Sequence, residues 1–553
     1  MTDQNTQHPA FLRLRLPDPW SAGAVLIAAI VLAPLLSVVW LAFNPVENIW
    51  PHLSSTVLPR YLGNTLLLML GVGVLTALVG TGAAWLVAMY RFPFSRVLDY
   101  ALLLPLAIPA YVGAYALVDF FDYSGVVQTW ARAAMGWTSS RDYWFPAVRS
   151  SGAAIVVLSA ALYPYVYLLA RTAFREQSGA TYEVARALGT GPLGMFFRVG
   201  LPLARPAVAM GVALALMETV ADYGTVAHFG VQTLTTGIFS VWLSGGNAGG
   251  AAQIALFVLA IVVALLWVER MSRRNARFHQ PTRASRPLVP QRLTGFGAWV
   301  ASFACFLPFG FGFVLPVGVM LRHALQNPQS WVSPGLLRAL WHTVATGGAA
   351  AFLTVAGALF LVYGVRMTHH RLPRLVLPLT SIGYAAPGTV LAIGVLIPLA
   401  ALDQRLADAI LALTGYEPGL LLTGTAAALV LAYVVRFFGI AQGAVDSAFG
   451  RVSPSLPMAA RSLGQGAGGV LRTVYLPLMR GSVATALLLV FVDGVKELPA
   501  TLLLRPFNYN TLSTRVYEQA SLERLGEAAP AALLVMLVGL AAVAILAHAN
   551  RKS

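Results

Sequence analysis

The sequence predicts an all-α polytopic membrane protein of about 12 transmembrane helices, built as two homologous six-helix halves. Three observations lead there: an apolar composition with few charges, a series of segments long enough to cross a bilayer, and a block that recurs at a fixed displacement. Of 553 residues, 58% are hydrophobic and 10% charged. Soluble domains carry about a quarter charged residues, so no soluble fold could hide this much apolar sequence.

An α-helix rises about 1.5 Å per residue, so roughly 20 apolar residues cross the hydrocarbon core, where lipid satisfies no backbone polar group. Such runs lie near 22 to 43, 65 to 90, 98 to 118, 151 to 170, 203 to 225 and 251 to 268 in the first half. In the second they lie near 296 to 321, 343 to 365, 375 to 400, 419 to 440, 481 to 503 and 529 to 549. The stretches Val126 to Trp137 and Asp403 to Leu413 are too short or too polar to cross and are expected as surface helices. The segment through Asp18 carries Arg13 and Arg15 and runs into the first span with no small-residue cleavage site behind it, the pattern of a signal anchor. The expected organisation is a cytoplasmic segment 1–21, a first half 22–269, a basic linker 270–292, a second half 293–549 and a cytoplasmic tail 550–553.

The formal net charge of +16 could suggest nucleic acid, but the placement of the basic residues excludes it. With both termini cytoplasmic, 26 of the 37 Lys and Arg lie inside, counting Arg205 and Arg436 at the inner ends of their spans; 10 are external and Lys496 is within a span. Arg270, Arg273, Arg274, Arg277, Arg283, Arg286 and Arg292 follow span six, whereas the segment Val226 to Gly250, expected outside, has none. This is the positive-inside signature. The single cysteine, Cys305, falls in the seventh span, so neither an intramolecular disulfide nor a cysteine-based metal cluster is available.

The repeat is "ARALGTGPLGMFFRVGLPLARPAV" from Ala185 and "ARSLGQGAGGVLRTVYLPLMRGSV" from Ala460, 275 residues apart, with 12 of 24 positions identical. Each copy follows the fourth span of its half and precedes the fifth, on the cytoplasmic side, and the even span count gives both halves the same orientation. Short helix, turn, short helix is the expected form. Gly189 and Gly191 permit the turn, and Leu-Pro at 201 and 202 marks return to the membrane.

These loops resemble the EAA loop of binding-protein-dependent ABC importer permeases: "EVARALG…VGLP" in the first half and "MAARSLG…VYLP" in the second. The resemblance implies a type I-like permease fold and assigns ATPase coupling to Glu183, Ala185, Gly189 and Pro202, and to Ala459, Ala460, Gly464 and Pro477. Met458 stands where the motif has glutamate. The strings "METVADYGTVAHFGVQTLTTGIFSVW" from Met217 and "VKELPATLLLRPFNYNTLSTRVYEQAS" from Val495 resemble the fused permeases of ferric-iron importers, over essentially the whole chain. That resemblance implies an inner-membrane translocation subunit working with two ABC ATPase subunits, a periplasmic substrate-binding protein and the surrounding lipid, and with no nucleic acid. Thiamine and other small-solute permeases are the alternative cargo class. An ion-gradient-driven secondary transporter is the alternative mechanism, but it leaves the two matched cytoplasmic loops unexplained.

An ATPase site within the chain is excluded on residues. "LSGGN" at Leu243 to Asn247 is similar to an ABC signature loop, but a P-loop needs Gly-Lys-Ser/Thr, and the two lysines, Lys496 and Lys552, follow no glycine. These glycines are expected to form a flexible external loop. The chain is therefore expected to bind no cofactor and to catalyse no reaction, with ATP and Mg on the partner ATPase subunits. No histidine pair has helical metal-ligand spacing, His369-His370 reads as a headgroup contact, and no metal ligand is assigned; His228, near the outer end of span five, is the histidine of most interest.

Ionisable groups inside spans are expensive and often line a pathway. Glu218 and Asp222 are four apart, as are Asp493 and Glu497 at the same 275-residue displacement, so each pair is expected on one helical face. With Tyr223 they offer the oxygen ligands that a hard cation such as Fe³⁺ favours. The competing expectation is structural, with Lys496 neutralising Asp493 or Glu497.

Overall fold

The computed structural model describes residues 19–274, 289–367 and 371–549. The segment through Asp18, linker residues 275–288, His369, His370 and the tail 550–553 lie outside the described residues. Among the described residues, 11 helices are long and apolar enough to cross a membrane, and the count is 12 if the bent pair Ser95–Ala107 and Ala110–Met135, at 98°, is taken as one span.

Proline places the breaks. Pro109 keeps Ile108 out of the helical region, at φ −104° and ψ 124°, so the expected continuous span 98 to 118 is interrupted. Pro387 does the same to Ala386, at φ −76° and ψ 129°, 278 residues later. The expected span 375 to 400 is accordingly divided into Arg371–Thr380, Ile382–Ala385 and Gly388–Thr414. Val126–Met135 is a separate helix, but Asp403 to Leu413 is not: it continues Gly388–Thr414. Its polar residues are accommodated locally, since Asp403 is fully buried and accepts hydrogen bonds from the backbone N–H groups of Leu421, Leu422 and Thr423.

The segment Val226 to Gly250 is likewise no flexible loop. It continues the helix Gly224–His228 and adds Leu234–Phe239 and Ser240–Ser244. Gly237 sits where any β-carbon would meet the Tyr61 ring. Asn247 ends the segment in a defined turn, accepting from Gly250 N at 2.6 Å and donating to Glu47 O at 3.2 Å.

The two halves interlock. The first helix, Pro19–Phe43, packs against the second half, stacking Trp20 on Phe360 at 5.0 Å and joining the core of Tyr363, Tyr433 and Phe438. Reciprocally, Ala298, Ala301 and Cys305 of the seventh span enter the core of Trp85, Tyr163 and Tyr167. Where the linker ends, Gln291–Arg292 pairs in parallel with Tyr90–Arg91.

Both repeat loops have the expected form. Gly179–Ala187 and Ser455–Ser462 end in Gly189 and Gly464, at φ 80° and 83°, where a left-handed turn favours glycine. A second short helix then passes through the π-helical turns Phe196–Gly200 and Leu471–Tyr475 into Leu201–Ala221 and Leu476–Lys496. In the first half Trp85 packs on Tyr182 and Phe196; at the matching position Tyr363 packs on Tyr475 and donates to Ala467 O at 2.6 Å. Glu183 and Met458 are both exposed, as are Leu188 and Leu463 at 80% and 84%.

One buried ion pair secures the bend of the third crossing. Asp99 pairs with Arg171 through both oxygens, with Arg175 at 2.9 Å and the Tyr167 hydroxyl at 3.2 Å. Removing one partner of such a pair strands a charge. Arg171→Ala is expected to lower stability by about 3 kcal/mol, because Arg175 replaces it only in part; thermal unfolding in detergent checks this, and an unchanged midpoint would show that Arg175 suffices.

Candidate functional site

The helices Leu201–Ala221 and Leu476–Lys496 stop at matched residues. Asp222, at φ −66° and ψ 135°, and Glu497, at φ −66° and ψ 119°, end them in extended backbone. Neither acid therefore continues its helix, which corrects the expectation that each acidic pair shares one helical face. Asp222 instead caps the next helix: its carboxylate accepts from Thr225 N at 3.0 Å, Val226 N at 3.1 Å and Thr225 Oγ1 at 2.9 Å. Glu497 accepts from Ala500 N at 3.1 Å in the same way. Their own carbonyls accept from Thr235 and Ser513, each at 2.8 Å. The duplication extends to the partners, since Thr65 and Thr343 accept from Leu234 N and Leu512 N at 3.1 and 2.8 Å.

These breaks surround a cavity of about 160 Å³ between the halves, lined by Glu218, Asp222, Tyr223, Arg436, Asp493, Lys496 and Glu497 together with Tyr111, Tyr165 and Tyr384. It has room for several waters. All six of the pathway residues named from the sequence thus meet in one place. Glu218 and Asp493 face it from matched positions, and among the described residues neither carboxylate makes a hydrogen bond or an ion pair.

Arg436 is the residue that sequence reasoning misplaced. Expected at the inner end of its span, it lies mid-way along Ala426–Gly450 and pairs with Glu497 at 3.0 Å. The span was placed too early because the apolar run begins before the helix does. Among the described residues Lys496 makes no direct ion pair with Asp493 or Glu497 and acts on Asp493 only at longer range; its Nζ donates to Leu106 O at 2.9 Å, a carbonyl near the break at Pro109. Arg436 Nη1 is buried without a partner. Gly388 admits the Arg436–Glu497 pair, since a β-carbon there would collide with Glu497 Oε1 and stand 2.9 Å from Arg436 Nη1. Tyr223 stacks on Phe239 at 3.7 Å and reaches the Tyr517 hydroxyl of the other half at 3.3 Å.

The cavity is polar rather than chelating. Among the described residues no group of three or more His, Cys, Asp or Glu is arranged to hold a metal ion. If all are ionised, four carboxylates against two cations leave it an excess of negative charge.

Residues 65–277 match the family described as binding-protein-dependent transport system inner membrane component. The matched region falls almost entirely within the first of the two duplicated halves. The chain is similar along most of its length to the Fe(3+)-transport system permease protein FbpB 2 of Haemophilus influenzae, 27% identical over 484 residues, covering 86% of this chain and 87% of that one. The putative ferric transport system permease protein FbpB 1 of the same organism is 22% identical over 491 residues, 85% of this chain and 73% of that protein. Half-length relatives align too: the molybdenum transport system permease protein ModB of Escherichia coli is 28% identical over 206 residues, 35% of this permease and 85% of that protein.

The geometry separates the acids by task. Glu497→Gln is expected to destabilise the permease by on the order of 3 kcal/mol, because it leaves Arg436 buried without its counter-charge. Glu218→Gln and Asp493→Asn, which break no contact, are expected to melt within about 1 kcal/mol of wild type. Thermal unfolding of the three variants in one detergent checks the ranking, and equal losses would contradict it.

Proposed function

We propose that this inner-membrane permease is the translocation subunit of an ABC importer that carries ferric iron, delivered by a periplasmic binding protein and driven by ATP hydrolysed on separate subunits. The observation that supports the cargo is the cavity: Glu218 and Asp493, brought together from the two halves, present unengaged carboxyl groups to a site whose four acids outnumber its two basic side chains, and a hard trivalent cation favours oxygen donors. Two relatives that span most of the chain bear ferric names. With no chelating cluster, the cavity acts as an electrostatic passage that lowers the barrier to a cation without trapping it.

The coupling assignment rests on the matched loops. Glu183, Ala185, Gly189 and Pro202, with Ala459, Ala460, Gly464 and Pro477, form two like-oriented projections, each exposing a leucine, Leu188 and Leu463. Two ATPase subunits holding ATP and Mg dock there on the cytoplasmic face, where both termini also lie, and their closure moves Leu201–Ala221 and Leu476–Lys496 through the π-helical turns. The permease itself supplies no catalytic residue or cofactor.

A second reading has its own observation. Arg436 and Lys496 also face the cavity, and cations suit an oxyanion of the kind named for the molybdenum relative. Radiolabelled uptake into proteoliposomes holding the complete importer distinguishes the two: ferric iron is expected to accumulate with ATP and molybdate is not. Paired Glu218→Gln and Asp493→Asn substitution is expected to lower iron uptake by at least about tenfold with the ATPase still bound, an effect of about 1.4 kcal/mol on the barrier. Wild-type uptake by that variant would remove the acids from the pathway.

The coupling roles are tested apart from cargo. Gly189→Pro or Gly464→Pro, which forbids the positive φ of the turn, is expected to uncouple ATP hydrolysis from uptake. Glu183→Ala is expected to impair coupling more than Met458→Ala, since only the glutamate can make a charge-assisted contact; equal defects at equal expression would show the loops to be equivalent.

A further inference from the structure

A second cavity, of about 200 Å³, lies at the end of the permease remote from the repeat loops, with Asp119, Asp122, Arg149, His228 and Glu523 in its wall. Arg149 marks that end, because it precedes Ser151–Glu176, the helix whose other end reaches the first loop through the contact of Gln177 with Gly200. Between this outer cavity and the central one stand two tyrosines one turn apart on Ala110–Phe121. Tyr111 lines the central cavity and Tyr115 the outer one. Their rings are 6.2 Å apart, and His228 meets Tyr115 edge-on at 4.5 Å.

This column is polar where it need not be. Tyr111 and Tyr115 are 4% and 1% exposed, yet their hydroxyls, like His228 Nε2, have no hydrogen-bond partner; Ser521 of the second half lies near the Tyr115 hydroxyl without reaching bonding geometry. Leaving a buried polar atom unpaired costs about 1–3 kcal/mol, so three in a row are expensive if the column serves only as packing. The duplication supplies the control. The matching positions of the second half hold Thr389, Ile393 and Leu503. There Ile393 is fully buried in an apolar cluster with Val390, Leu234 and Ile238. One copy of the duplicated unit has thus kept unpartnered polar groups at all three positions on the line between two cavities, while the other keeps one, the buried Thr389 hydroxyl, and fills the places of Tyr115 and His228 with hydrocarbon.

We infer that Tyr111, Tyr115 and His228 form the outer gate of the transport path, and that a hydrated cation enters the central cavity past them along the first half alone rather than symmetrically. In the closed arrangement the rings plug the path. When they part, the three orphan groups become its hydrogen-bonding wall. The inference rests on the proposed orientation, with the loops cytoplasmic, and on transport through the central cavity; it does not depend on iron being the cargo.

The test uses the assembled importer in proteoliposomes with Cys305, buried in its span, replaced by alanine. Single cysteines are placed at Tyr115, His228, Ile393 and Leu503, and 2-aminoethyl methanethiosulfonate is added from outside during ATP turnover. Tyr115→Cys and His228→Cys are expected to label and to lose uptake on labelling, while Ile393→Cys and Leu503→Cys do neither. Equal labelling of the two halves, or labelling at Tyr115 and His228 without loss of uptake, overturns the inference. Should the cysteine variants fail to assemble, Tyr115→Ile and His228→Leu, which import the second half's own residues, are expected to bind the ATPase and lose uptake; wild-type uptake in both overturns it. Because the difference in labelling between the two halves is read without iron, absence of iron uptake by the wild-type importer would sink the cargo assignment, while equal labelling of the halves would still overturn the gate.

Discussion

Everything distinctive about the centre of this permease depends on how two helices are allowed to end inside it. A helix that stops within an apolar bundle exposes carbonyls and amides that lipid cannot satisfy. At Asp222 and Glu497 the terminating residue answers this itself: its carboxylate caps the following helix and its carbonyl takes a hydroxyl hydrogen bond from Thr235 or Ser513. The segments after each break can then fold back on the bundle, and the gap left between the two ends becomes the cavity. The same constraint explains Lys496, whose ammonium is satisfied by the carbonyl of Leu106 near the break at Pro109.

Duplication sets the frame, and divergence supplies the chemistry. Hydroxyl caps, backbone breaks and positive-φ glycines recur at matched positions because they solve backbone problems that both halves share. The four acids of the cavity recur at matched positions as well, but its basic side chains do not. Arg436 corresponds to Ala161, and Lys496 to Ala221. Two carboxylates serve as caps, of which Glu497 also pairs with Arg436, two that serve nothing structural are left facing the cavity, and the cations come from one half only. A pseudo-twofold scaffold thereby encloses an asymmetric electrostatic interior, which suits a permease through which one substrate passes along one route.

How much of this was legible depended on whether the signal was local. Twelve crossings, the repeat, its turn glycines and the four acids could be read from runs, spacings and residue types, since hydropathy and positive-φ requirements act over a few neighbours. Pro109 and Pro387 could have signalled the broken spans, because the residue before proline avoids the helical region whatever surrounds it. The partner of Glu497 had no such signal. Arg436 is 61 residues away in sequence, and an arginine near the end of an apolar run reads as an interfacial anchor until the packing shows otherwise.

The sequence by itself determined the membrane architecture, the duplication and which side chains were too costly to bury without purpose, because those follow from transfer free energies and backbone geometry that each segment carries with it. Only the tertiary structure decided which acids are caps and which are free, that Arg436 and not Lys496 holds Glu497, and that a tyrosine pair and a histidine stand between two cavities. Those outcomes turn on which groups come within about 3 Å of one another, and hydrogen-bond and ion-pair partners at that range are chosen by packing between segments far apart in the chain.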